Sequence, residues 1–264
     1  AASNGTIVTS VACDINSNLY AAGIFSIVGG QPRTNLIKFL SDGSLDSWQP
    51  DVNNQVNLIV ADSAGNTYIA GNFTSIGGTP IQHVAKLSVD GSLDISWLPQ
   101  PDGKVHNIVS DNLGRIFIQG NFNTVNGIPR KGIARIKPDG TPDSWNADTI
   151  FGSVESIAAD KNGNLYLGGN FSSAGSHARS NLARIKADGT LDTWNPSSDN
   201  TIRSLSVTGT IIYTAGSFSS LAGTSLPLLG KLRTDGTADA WNPLITGDSI
   251  TDILIDQQNN FWDQ

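Results

Sequence analysis

Five side chains of this sequence could grip a ligand, and they recur at a regular interval. Arg33, Arg130 and Arg179 hold one equivalent place, in the loop that follows a Gly-x-Phe triplet; Ile81 and Leu226 hold it in two further copies. His83 and His177 lie two residues from that place, and Gln31 precedes Arg33. Guanidinium groups bind acidic groups through paired N–H donors, and imidazole adds a donor or an acceptor near neutral pH. Gathered along one edge of a fold, these residues would hold an acidic saccharide or a partner protein. The competing reading is that they are solvated loop residues.

Other chemistry finds little support. The third histidine, His106, falls in a strand-like segment, and the three histidines are scattered through the chain. No His-Glu-x-x-His pattern, paired-cysteine motif, phosphate-binding glycine loop or Gly-x-Ser-x-Gly elbow occurs. Closely spaced Asp residues in "DGSLD" supply hard oxygen ligands of the kind Ca2+ takes. They lack the dense alternation of a calcium loop, and Asp-Gly has its own explanation as a turn. No catalytic residue, cofactor or metal is therefore expected, and calcium is the one cofactor the sequence leaves open. Cys13, the only cysteine, excludes an internal disulfide and is expected as a small buried thiol.

Composition bounds the answer from another side. The chain has 264 residues and a net charge of −7, and Glu155 is its single Glu among 23 acids. Asp favours turns and Glu favours helices, so this skew predicts many turns and few helices. An acidic chain with no basic stripe is a poor match for nucleic acid. No apolar run is long enough to span a bilayer. The sequence opens "AASNG" and contains no Met, a start that fits cleavage behind a small-residue signal site. With its wealth of Ser, Thr, Asn and Gly, it is expected outside the cell, at the cell surface or in the envelope.

What positions the loop residues is a repeat. Trp48, Trp97, Trp145, Trp194 and Trp241 are 49, 48, 49 and 47 residues apart. Phe25, Phe73, Phe122, Phe171 and Phe218 keep the same rhythm, each two residues after a glycine. Within a unit, "VESIAAD" and "LYLGGNF" flank a turn and read as a hairpin; "NLARI" is a third strand, and an Asp-Gly turn leads to a fourth ending in "DTWNP". Four strands per unit of about 49 residues predict an all-β fold, a β-propeller, as a single domain over 1–264. Its blades cover about 1–50, 51–100, 101–147, 148–196 and 197–243. "SITDILIDQQNNFWDQ" supplies the first two strands of a sixth over 244–264, with Trp262 in the place of Tyr166. A six-position ring is expected, whose incomplete last blade offers an edge for association.

The tryptophans, and the second layer Tyr20, Tyr68, Phe117, Tyr166 and Tyr213, are expected between blades as packing elements. A basic residue in each third strand (Lys38, Lys86, Arg135, Arg184, Lys231) faces an Asp before each tryptophan (Asp46, Asp94, Asp143, Asp192, Asp239), which predicts a ladder of ion pairs.

The run "GNFSSAG...ARSNLARIKADGTLDTWNP" resembles the bacterial delta-sixty tandem repeats and, more loosely, the kelch-like propeller of fungal cortical-marker proteins related to Rax. The resemblance covers nearly the whole chain. It implies an extracellular or envelope-associated propeller and carries over no catalytic residue. The function expected is therefore non-catalytic binding or scaffolding, with a protein or glycan held at a propeller rim by Arg33, Arg130, Arg179, His83 and His177. The alternatives are a propeller lectin and a carbohydrate-active enzyme, which would need two carboxylates roughly 5–10 Å apart.

Overall fold

The computed structural model describes residues 7–62, 64–111, 113–147, 150–255 and 261–263. Every element among them is a β-strand. Among the described residues no helix is long and apolar enough to cross a membrane. In the first repeat β1 (Ile7–Cys13) pairs antiparallel with β2 (Leu19–Ile24), whose other edge takes β5 (Leu36–Phe39). Between β2 and β5 lies a two-residue hairpin, β3 (Ile27–Val28) on β4 (Gln31–Pro32). The second repeat copies the plan with β6 (Val56–Ala61), β7 (Thr67–Gly71), β8 (Ser75–Ile76), β9 (Thr79–Pro80) and β10 (Val84–Leu87). It recurs in 104–136, 150–185 and 202–233, and Ile253–Ile255 pairs with Phe261–Asp263 as a further hairpin.

The expected fourth strand is reduced to one bridge per repeat, such as Phe39 with Leu45 and Leu87 with Leu93. The reason is local. The Asp46 carboxylate accepts the Trp48 amide N–H at 2.9 Å, and Asp192 does the same for Trp194 at 2.8 Å. That bond curls the chain out of the ladder and turns the indole inward.

One glycine per repeat is dictated by close approach. At Gly71, which precedes Asn72-Phe73, a Cβ would lie 2.3 Å from the Gln55 carbonyl oxygen. The pairing register slips there, between Val56 and Leu58, and a bulge of this kind tolerates no side chain opposite it.

Contacts divide the chain into two units, 1–110 with 114–144 and 111–113 with 145–264. In each, the core lies between consecutive sheets. In the first, Tyr20, Leu36 and Trp48 of one repeat pack on Val56, Ile59, Ile69 and Phe73 of the next. Tyr68, Val84 and Trp97 then pack on Val105, Ile108 and Ile118. In the second unit Tyr166, Leu182 and Trp194 cover Ile202, Leu205 and Ile212, while Tyr213 and Leu229 meet Ile250 and Ile253. Tyr and Trp meet edge to face at 5.1–5.5 Å, a favoured aromatic geometry.

Four of the five repeat tryptophans are buried as expected, whereas Trp241 is half-buried. The Trp97, Trp145 and Trp194 indoles donate to the carbonyls of Lys137, Lys186 and Arg233 in the following repeat. Those carbonyls sit in the next Asp-Gly turn, whose glycine takes φ +81° at Gly140 and would place a Cβ 2.7 Å from the Trp97 Cα. A serine adds a second tie: Ser10, Ser156 and Ser204 accept the amide N–H of Ile59, Leu205 and Ile253 one repeat on.

Cys13 is exposed, against the expectation of a buried thiol. It pairs with Leu19 at the end of β1, where the chain leaves the sheet for a turn.

Candidate functional site

The charged residues divide into those that build the repeat and those that leave it open. The Asp of each Asp-Gly turn closes its own loop: Asp42 accepts the Ser44 amide N–H and hydroxyl at 2.9 and 2.6 Å, and Asp90, Asp139, Asp188 and Asp235 do likewise. These bonds hold the Asp42 and Asp188 carboxyls below the usual range. Asp14, Asp62 and Asp160 organise the hairpin turns. Each accepts backbone N–H groups two and four residues on, an Asn side-chain amide, and the Tyr hydroxyl six residues on. Burial, and then the Asp62 charge, push the Tyr68 hydroxyl well above its ordinary pKa.

The ion-pair ladder holds in four repeats: Lys38–Asp46, Lys86–Asp94, Arg135–Asp143 and Arg184–Asp192, at 2.8–3.6 Å. In the fifth, Asp239 pairs with Arg233 at 3.1 Å, and Lys231 lies 4.2 Å from the Trp241 ring centre. Burial raises the Asp94 carboxyl, but the bonds from Lys86 and Ser96 outweigh it and the net shift is downward.

The three arginines are drawn into their own repeats. Arg33 donates to the carbonyls of Pro32 and Asp46 at 2.8 and 3.0 Å, and Arg179 to those of Ala178 and Asp192 at 2.8 and 2.7 Å. Arg130 bonds the carbonyls of Pro129 and Asp143 in the same way. Each is buried and braces the short hairpin against the segment before the tryptophan. The geometry thus gives these guanidiniums an internal task and supplies no support for an acidic ligand on them. His177 is exposed, with Nδ1 3.5 Å from the Ser176 hydroxyl.

The second repeat departs from this plan at two places that meet. Ile81 replaces the arginine, and an extra residue, Ile95, separates Asp94 from Trp97. The insertion forms a turn in which the Trp97 N–H donates to the Asp94 carbonyl at 3.1 Å. That carbonyl is the group an arginine serves in the first, third and fourth repeats. With the guanidinium gone, a cavity of about 290 Å³ opens, lined by Pro80, Ile81, Gln82, Leu98, Gln100 and Pro101. None of the six carries a charge.

Its frame is fixed by backbone bonds. The Ile81 N–H donates to Thr74, the Gln100 carbonyl accepts from Asn126 at 3.2 Å, and Pro101 bridges Val125. Gln100 and His83 both take positive φ, +47° and +68°. His83 follows Gln82, half-buried, with Nδ1 buried and unbonded among the described residues. Burial, and then Lys104, push its pKa below the ordinary histidine value.

Of the five residues singled out by sequence, only His83 neighbours this cavity. Leu98, Gln82 and Gln100 were legible only as a break in symmetry: Asp94 alone stands three residues before its tryptophan, in the repeat that has also lost its arginine. Among the described residues no group of three or more His, Cys, Asp and Glu could hold a metal ion.

Comparison with known proteins agrees with this architecture. No curated protein matches the chain. Among solved structures, virginiamycin B lyase from Staphylococcus aureus is similar with a TM-score of 0.63 at 12% identity, covering 97% of this chain and 76% of that one. YCF48 bound to D1 peptide is similar with a TM-score of 0.59 at 13% identity, covering 98% and 75%. A gluconolactonase from Xanthomonas campestris has a TM-score of 0.54 at 13% identity, covering 98% and 83%. Four segments, 18–47, 65–96, 114–144 and 161–193, match the family described as a β-propeller domain of unknown function, DUF5122, and with these neighbours they identify the fold as a β-propeller.

Proposed function

We propose that this β-propeller is a non-catalytic binding or scaffolding module whose ligand is a partner protein. In this reading it is built of five blades and the first hairpin of a sixth. It acts outside the cell or at its surface, a reading supported by its Ser-, Thr-, Asn- and Gly-rich composition, and needs no cofactor.

One observation carries the reading. The repeated Asp, Lys and Arg side chains are committed to turns, ion pairs, aromatic rings and backbone carbonyls of their own repeat or the next, while the cavity that breaks the repeat is lined by uncharged side chains. Acid–base or nucleophilic catalysis needs a titratable group aimed at the reacting atom, and the six lining residues offer none. Among the similar folds, one was solved with a bound peptide and two are named as enzymes, so fold alone does not choose between the classes.

A panel of chromogenic glycosides, esters and lactones separates them. The expectation is no turnover above a heat-denatured control, together with saturable binders from a yeast-displayed library of protein fragments. Turnover abolished by heat would replace the binding reading with an enzymatic one. Saturable binding on a glycan array, with no protein binder, would replace it with a lectin.

A further inference from the structure

The cavity beside Ile81 marks a departure of the second repeat from the shared plan, and its chemistry selects an occupant. We infer that it receives one aliphatic or proline side chain from an extended, uncharged stretch of a partner protein, with the Gln82 and Gln100 carboxamides bonding the backbone on either side. This deepens the binding reading above and rests on it.

The lining decides the class. Pro80, Ile81, Leu98 and Pro101 present hydrocarbon, and the two glutamines each carry a donor and an acceptor. A peptide backbone presents the same pair of groups at every residue. A charged ligand would enter without a counter-charge and lose its hydration, although the whole chain carries −7. A sugar would find no aromatic ring to stack on among the lining residues, and only the two carboxamides would meet its many hydroxyls, the rest facing proline and leucine.

Size points the same way. At about 290 Å³ the cavity lies at the foot of the range for drug-sized ligands, roughly 300–1,000 Å³. It has room for an anchoring side chain together with the backbone beside it, and leaves the rest of a segment on the surface, beside the exposed Pro80, Gln82 and Gln100.

The pocket is also held open without a ligand. The Asp94 carbonyl is satisfied by Trp97, and backbone bonds from 74, 100 and 101 fix the walls. A preformed site of this kind loses little ordering entropy on binding.

The test uses the full chain. A phage-displayed library of random dodecapeptides is panned against it, and the selected sequences are made as fluorescein-labelled peptides for anisotropy titration. The expected result is a set of sequences rich in Pro, Val, Ile or Leu and poor in charge. Ile81→Phe, which fills the cavity, and the surface pair Gln82→Ala with Gln100→Ala should each weaken Kd by about tenfold or more. In methyl NMR of the unmodified protein, the peptide should move the Ile81 and Leu98 signals and leave those of Leu226 in place. Selected peptides that bind every variant equally and move neither signal would overturn the assignment of this cavity while leaving protein binding intact. Predominantly charged sequences would overturn the neutral anchor. Failure to select any peptide, with no binder in the protein-fragment library either, would remove the binding reading itself.

Discussion

The second repeat and the third occupy similar sheets, yet they solve one problem in two ways. The carbonyl of the Asp before each tryptophan needs a donor. In the third repeat Arg130 supplies it from across the loop; in the second, the inserted Ile95 lets the Trp97 amide supply it from within the segment. The first solution fills the corner with a buried guanidinium, and the second leaves a cavity. A backbone polar group must be satisfied, but the side-chain volume spent on satisfying it is free to vary. Where a local turn does the work, the fold regains space for another use.

The comparison assumes that the insertion alters the corner and leaves the tryptophan wedge intact, and the largest effect tests this. Trp97→Ala removes a side chain with no exposed surface and should cost about 3–5 kcal/mol by urea denaturation. Trp194→Ala should cost a similar amount. A much smaller loss at Trp97 would mean that the second repeat has loosened throughout.

Next in size is Arg130→Ile, which copies the second repeat's residue without its insertion. It strips the Pro129 and Asp143 carbonyls of charged donors and should destabilise by about 1–3 kcal/mol. Adding one residue between Asp143 and Ser144 in that variant should recover part of the loss. No recovery would break the claim that the inserted turn substitutes for the arginine.

The smallest effect is a titration at His83. Because burial lowers its folded pKa, the unfolded chain binds more protons in the interval just below the ordinary histidine value of about 6.5. Its contribution to stability is complete above that value and is lost as pH falls through the window. His83→Gln should flatten this slope, and the NMR midpoint of His83 should lie below 6.5. A midpoint at the ordinary value would show that the second repeat's corner is open to water.

Periodicity made the architecture readable because one aromatic and one glycine per unit are spent on contacts that every unit must make. Trp97 and Gly71 announce themselves by spacing. The internal bonds of the arginines escape the sequence for a physical reason: their partners include backbone carbonyls of Pro32, Asp46 and their equivalents, which no side-chain pattern reveals. The Asp-Gly turn predicts a full fourth strand, but the Asp46 carboxylate captures the Trp48 amide and leaves a single bridge. Asp-x-x-x-Asn-x-Tyr occurs three times, at Asp14, Asp62 and Asp160, and by sequence alone reads only as a turn. In the third repeat Arg115 and Phe117 replace the Asn and the Tyr together, a paired change that marks the hydroxyl and amide as one arrangement around the carboxylate.

The tryptophan that leans on the next repeat's glycine carries a further consequence. The joint is written half in one unit and half in its successor, so any unit that ends in the aromatic fits any unit that brings the Asp-Gly turn. Whole units can then be duplicated, lost or exchanged as cassettes without inventing a new junction, and stability scales with the number of joints made. The second repeat illustrates the freedom this gives. It keeps both halves of the joint, Gly91 against Trp48 and Trp97 against Gly140, while its corner has diverged. Heredity can thus conserve the hinge-points of the array and leave each unit's outer corner to drift toward a task of its own.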